Sequence, residues 1–198
     1  MKGSPKSKKS AAEYYLEHLD DVFGQEPEFF KDEGAEDGLP EVMMIVYRDL
    51  PEPGYITALT YGLSLAHHPE WEKTTRNELC ICLESTDLDW AMVLGYVATG
   101  LRGRAPFFYG ETINIGEPIS EDTKMDALMV FAPSVLEEED YTAIEVGQDY
   151  KINIVGLYPL YASEIEVLQK LGLKDFWHHE NFDMYSVNRK KVELEGKK

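Results

Sequence analysis

Two histidine pairs have the residue types of a metal centre. His67-His68-Pro69-Glu70-Trp71 and Trp177-His178-His179-Glu180 each set two imidazoles beside a Trp and a carboxylate. Brought together, they would offer the nitrogen and oxygen donors that transition metals take. Neighbouring residues on an extended segment point to opposite faces, so both members of a pair rarely reach one ion. The ligand count of a stable site is then not met. The two clusters read as polar loop histidines beside a Trp anchor, with no metal and no cofactor expected. Cys80 and Cys82 are the only cysteines and lie C-x-C on an alternating segment. On a strand their side chains share one face, about 7 Å apart at Cα. That is near or beyond the reach of an unstrained disulfide, and the pair reads as packed thiols. The sequence contains neither GxxxxGKS/T nor GxGxxG, and neither GxSxG nor HExxH, which removes the common nucleotide-binding and hydrolase signatures. Ser64, Ser134 and Ser163 have no evident partnered base, and 37 acids single out no acid–base pair. The reading is a non-enzymatic protein.

Charge separates the classes that remain. The 198 residues carry 19 Lys and Arg against 37 Asp and Glu, a net charge of −18. Bases concentrate at the two ends. Residues 11–188 hold 10 bases against 35 acids, a net of −25. Such a body repels phosphate backbones, so no nucleic-acid partner is expected. It attracts a basic protein and speeds the encounter. No apolar run approaches the ~20 residues of a membrane helix. The basic opening MKGSPKSKKS lacks the apolar core of a signal peptide. Both readings, with the unpaired cysteines, suggest a cytoplasmic protein.

The elements that must position any site follow from periodicity. Ala12, Tyr15, Leu16, Leu19, Val22 and Phe23 share one helical face, opened by a Ser10–Glu13 capping box and stopped by Gly24. Residues 26–41 read as an acidic loop anchored by Phe29 and Phe30. Val42–Tyr47 and Tyr55–Ser64 read as an antiparallel hairpin across Pro51–Gly54. Leu79, Ile81 and Leu83 alternate with Glu78, Cys80, Cys82 and Glu84, the period-2 signature of a strand. Thr86 or Asp87 caps a buried helix over 88–101. Strands follow near 111–115, 126–131 and 150–157, the last ended by Pro159. A Ser163–Glu166 capping box opens a helix that stops at a left-handed Gly172. An extended segment, Phe182–Val187, precedes the tail. Strands and helices do not alternate regularly. The fold class is therefore α+β, a mainly antiparallel or mixed β-sheet with helices packed on it. The expected organisation is a basic tail over 1–10, one domain over 11–188 and a basic tail over 189–198.

Several segments then match one family in order and spacing. They are Leu59-Thr60-Tyr61-Gly62-Leu63-Ser64, Asn77 through Leu83, and Asp89-Trp90 entering a helix through Leu94 and Tyr96. Next come Ile152-Asn153-Ile154-Val155-Gly156-Leu157-Tyr158-Pro159-Leu160-Tyr161, then Ser163-Glu164, Gly172 and Asn188-Arg189. Together they resemble the suppressor of fused-like domain family over about residues 42–191. The resemblance implies a non-enzymatic protein-binding module. The two-domain animal member looks like a clamp on a transcription factor, working by strand addition between its lobes. This chain lacks the length for a second lobe, so the clamp's residues are not carried over. Single-domain bacterial relatives imply an immunity protein that neutralises a toxin.

The resulting expectation is an immunity protein covering a basic toxin. Partner-binding candidates are Tyr61, Ser64, His67, His68 and Trp71, with the acidic run Glu137, Glu138, Glu139 and Asp140. A regulatory adaptor that holds an extended peptide, and a metal- or small-molecule-dependent enzyme, are the alternatives.

Overall fold

The computed structural model describes residues 9–34, 37–71 and 75–194. Its first element, α1 (Ala11–Phe23), begins where the capping signal lies. The Glu13 amide donates to Ser10 Oγ at 3.2 Å, and the Ser10 amide donates back to Glu13 Oε2 at 2.6 Å. Gly24, at φ 60°, closes the helix in the left-handed conformation a side chain resists.

Next come β1 (Glu28–Asp32), β2 (Val42–Arg48), β3 (Ile56–Tyr61), a 3-10 turn at Leu63–Leu65, β4 (Thr75–Leu83) and α2 (Asp89–Leu101). The second half holds β5 (Thr112–Asn114), β6 (Ala127–Phe131), α3 (Glu138–Tyr141), β7 (Ile144–Glu145), β8 (Lys151–Leu160), α4 (Ser163–Leu171) and α5 (Leu173–Trp177). The strands form a mixed sheet in the order β1-β2-β3-β4-β8-β6-β5, with β7 paired on β8. Among the described residues β4–β8 is the single parallel pair, running Thr75 opposite Lys151 to Cys80 opposite Gly156. The fold is α+β, as the irregular alternation of elements predicts.

Strand alternation sorts the side chains into two layers. On one face α2 buries Trp90, Leu94 and Val97 against Met44, Leu79, Ile81 and Val155. On the other, α1 buries Tyr15 and Leu19 against Ile45, Leu59, Cys80, Ile152 and Ile154. Tyr158 and Leu160 continue that second face along β8, where Leu168 of α4 and Phe176 of α5 cover it. Cys80 and Cys82 are both free and buried on the α1 side. Burial pushes the Cys82 thiol up to about 11.

Several expectations need correction. Residues 28–32 form a strand, not a loop: β1 is a half-wet edge whose acids hide the alternation, with Phe30 turned toward the α2 core and Phe29 exposed. The Ser163–Glu166 box does not form. The Tyr161 amide instead donates to Glu164 Oε2 at 2.9 Å, two residues before the expected box. Gly172 has φ 80° and ψ 158°, which is not the left-handed helical stop. β8 runs through Pro159 to Leu160, paired there with β6 alone, so the missing amide leaves no gap in a second ladder. Phe182–Val187 contributes one bridge, Glu84 with Ser186, and no strand. Residue 189, where the basic tail is expected to start, packs into the domain. Arg189 is buried in a two-pronged pair with Glu164, both contacts at 2.7 Å, and Val192 is buried beside them.

Candidate functional site

The motif Thr60-Tyr61-Gly62-Leu63-Ser64 has a structural task. It wraps the fully buried carboxylate of Glu78, which points from β4 to the α1 face. Five donors converge there: Thr60 Oγ1 at 2.6 Å, the amides of Gly62 at 2.9 Å, Leu63 at 3.3 Å and Ser64 at 2.9 Å, and Ser64 Oγ at 2.6 Å. Gly62 makes the wrap possible. Its φ is 135°, and an added Cβ would lie 3.0 Å from the Val42 Cα. Burial pushes the Glu78 carboxyl above its ordinary value, while the hydroxyls of Ser64 and Thr60 and the Gly62 and Ser64 amides pull against that shift. Ser64, named above as a partner candidate, is fully buried and spent on this carboxylate. Tyr61 is half-buried, its ring 5.7 Å from that of Tyr15.

The same turn leads to a groove of about 410 Å³ at the seam where β4 meets β8. Its floor is Thr75 and Asn77 of β4 with Asn153, Ile154 and Val155 of β8. The opening arises from the topology. On its far side β8 pairs with β7 only through Ile152, and with β6 only from Gly156, so residues 153–155 have no partner strand there among the described residues. One wall is Glu70 and Trp71, and another is Tyr141 and Thr142 at the end of α3. The last is the loop Phe107-Phe108-Tyr109.

These walls are held by hydrogen bonds. The Trp71 indole donates to the Pro106 carbonyl at 2.8 Å, and Asn77 Nδ2 donates to the same oxygen at 3.0 Å. Phe107 then takes the left-handed region at φ 56°, which sinks its own ring and turns the next two outward. Phe108 is 45% exposed and Tyr109 is 49% exposed. Opposite, the Ala143 amide donates to Asn153 Oδ1 at 2.7 Å, and the His18 ring contacts the Asp140 carbonyl at 2.7 Å, tying α3 to β8 and α1. The Tyr109 ring lies 5.2 Å from that of Phe131, which lies tilted against Trp177 at 4.6 Å. The groove thus presents rings on a fixed aromatic base.

The acidic run borders this groove. α3 carries Glu138, Glu139 and Asp140 directly into the lining residues Tyr141 and Thr142. Glu137 precedes the helix and is exposed, as are Glu138 and Glu139. The Tyr109 phenol is pushed up, first by burial, then by Tyr141 and Glu138.

The structure divides the other candidates. His67 is exposed. His68 is buried, accepting from the Glu70 amide at Nδ1 (3.1 Å), which leaves Nε2 to donate to the Arg104 carbonyl at 3.3 Å. It braces the turn that delivers Trp71. His178, the C-cap of α5, has its Nδ1 2.8 Å from the Lys174 carbonyl. Among the described residues no three His, Cys, Asp or Glu side chains gather as metal ligands. Phe108 and Tyr109 escaped the sequence reading. The run Pro106-Phe107-Phe108-Tyr109-Gly110 is the available signal, because a connecting loop has no packing need for three successive rings.

Comparison with known proteins follows the same outline. The suppressor of fused protein (SUFU) family profile matches residues 38–190. No curated protein matches the chain. A crystal structure described as a SUFU homolog from Neisseria gonorrhoeae FA 1090 superposes with a TM-score of 0.67 at 17% identity, over 90% of this chain and 94% of that one. A Sufu–Fu complex structure gives a TM-score of 0.64 at 16% identity, over 91% of each chain. Drosophila Suppressor of Fused gives 0.66 at 14% identity, over 96% of this chain and 53% of that one, so this chain spans about half of it. At these identities the likeness is one of fold. Among the described residues no helix is long and apolar enough to cross a membrane.

Proposed function

This chain belongs to the suppressor of fused protein family, and from that premise we propose that it is a non-enzymatic module that docks a basic partner protein on the Trp71–Tyr109 groove. The observation that carries the reading is the pairing of exposed rings with acids in one fixed cleft. Phe108 and Tyr109 supply apolar anchorage, and Glu70 with the Glu137–Asp140 run supplies negative charge around it. Aromatic anchors ringed by charge give affinity at the centre and steering at the rim. A SUFU-fold chain has been crystallised as a Sufu–Fu complex, which supports a protein as the ligand class. Within that class, the net charge of −18 favours an immunity protein that covers a basic toxin in the cytoplasm.

The test is co-expression with the products of neighbouring genes, followed by affinity measurement on any basic protein that co-purifies. Phe108→Ser or Tyr109→Ser should weaken binding about tenfold, and raising the salt should slow association. A complex indifferent to both substitutions and to salt would refute the reading. A regulatory adaptor is the second reading, favoured by β1, which ends the sheet with no partner strand on its outer side among the described residues. A bound segment that protects the β1 amides from hydrogen exchange, and leaves the groove unchanged, would select it.

A further inference from the structure

Among the described residues α2 is the most apolar of the long helices, yet Tyr96 on its outer side is left exposed. Of its 13 residues Asp89 alone is charged. By contrast α1 lays Glu13, Glu17, Asp20 and Asp21 along its outer side. A surface helix normally carries charge toward water. On α2 the exposed positions are Asp89, Tyr96 and Gly100, with Met92, Thr99 and Leu101 half-buried, and Tyr96 is 64% exposed. Beside it runs a groove of about 310 Å³, lined across from Met92 and Tyr96 by Ile115, Pro118 and Ile119, with the carboxylates of Asp89 and Glu117 among its lining.

The far wall is held in place. Ser120 is buried and donates its hydroxyl to Asp87 at the foot of α2. The Ile115 amide donates to the Asp126 carbonyl at 2.9 Å, and the Ile119 amide donates to the Met125 carbonyl at 3.0 Å. A preformed cleft binds without paying to order its own walls.

We propose that this face is a second docking surface, separate from the Trp71–Tyr109 groove, for a polypeptide segment that sets an apolar side chain between Tyr96 and Ile115 and lysine or arginine against Asp89 and Glu117. Charge selects that occupant. A second copy of the chain brings a net charge of −18 to an acidic cleft, whereas a basic segment answers both the carboxylates and the body.

The experiment is a chemical-shift titration of the full chain with the peptide acetyl-KWKLK-amide and its acidic counterpart acetyl-EWELE-amide. The basic peptide should shift the amides of 89–100, 115–117 and Ile119 most, and the acidic one should leave them still. Tyr96→Ser should weaken binding about tenfold, and Glu117→Gln by less, with the thermal midpoint unchanged because both side chains are exposed. Equal response to both peptides, shifts scattered over the acidic surface, or no effect of Tyr96→Ser would overturn the proposal. So would concentration-dependent dimerisation through this face that Tyr96→Ser abolishes. Shifts confined to the Trp71–Tyr109 groove would overturn this inference while leaving the proposed function standing.

Discussion

Replacing Glu78 by Gln tests whether the carboxylate organises the turn around it. On the Oε1 side the carbonyl of a Gln can keep the Gly62 amide, the Ser64 amide and the Ser64 hydroxyl. On the Oε2 side its NH2 then faces the Leu63 amide and the Thr60 hydroxyl, both of which now donate. Thr60 can rotate its proton away, but the Leu63 amide cannot. One buried N–H is orphaned, at about 1–3 kcal/mol, and the kept bonds lose their charge assistance. Relief from burying a charge offsets part of this. The net expectation is a loss of about 2–4 kcal/mol, or roughly 5–15 °C in a domain of this length. Urea titration at pH 7 reads it directly. Because the folded carboxyl is raised above its ordinary value, its linked stability is complete below that ordinary value and is lost as pH rises through the raised one. The gap between wild type and Glu78→Gln should therefore widen at acidic pH, since all other groups cancel in the difference. A loss under about 1 kcal/mol with an unchanged m-value would refute the argument, because an orphaned amide alone exceeds it.

Three further substitutions have defined outcomes. Gly62→Ala forces a Cβ to within 3.0 Å of the Val42 Cα at φ 135°, and should lower stability by more than about 1–3 kcal/mol in denaturant titration. Arg189→Met leaves the Glu164 carboxylate buried without its counter-ion. It should cost about 3–5 kcal/mol, with hydrogen exchange at the Val192 amide rising first because that amide also bonds Glu164. Asp37→Asn removes the partner of Arg102, whose guanidinium holds the Asp37 carboxyl below its ordinary value. The wild type's advantage should be present at neutral pH and disappear as pH falls through that depressed value, as followed by thermal melts from pH 7 to pH 2.

What the sequence revealed depended on how local the cause was. α1 was legible because its cap, apolar face and stop lie within fifteen residues, Ser10 to Gly24. The β2–β3 hairpin was legible for the same reason. The parallel union of β4 with β8 was not, since alternation says which face a residue takes and nothing about a partner strand far along the chain. The burial of Glu78 was not legible, because a carboxylate in an alternating strand normally marks the wet face, while the five donors that permit its burial all come from a separate strand and turn. The groove was half visible. Trp71 and the acidic run were singled out on residue type; Trp71 lines the cleft, and the run leads in sequence into its lining residues Tyr141 and Thr142. Phe108 and Tyr109 were not singled out, because only the backbone twist at Phe107 decides which of three adjacent rings is turned outward.

The lone parallel ladder has a mechanical meaning. Before it lies one antiparallel ribbon, β1 to β4, and after it another, β5 to β8, and along the sheet the two are joined by six residue pairs. Such a seam closes late, because its strands must find each other across the intervening chain. The floor of the Trp71–Tyr109 groove draws residues from both sides of it. A ligand seated there holds the two ribbons together like a staple across a page fold, so occupancy should slow the unzipping of the whole molecule and not merely cover a patch of its surface.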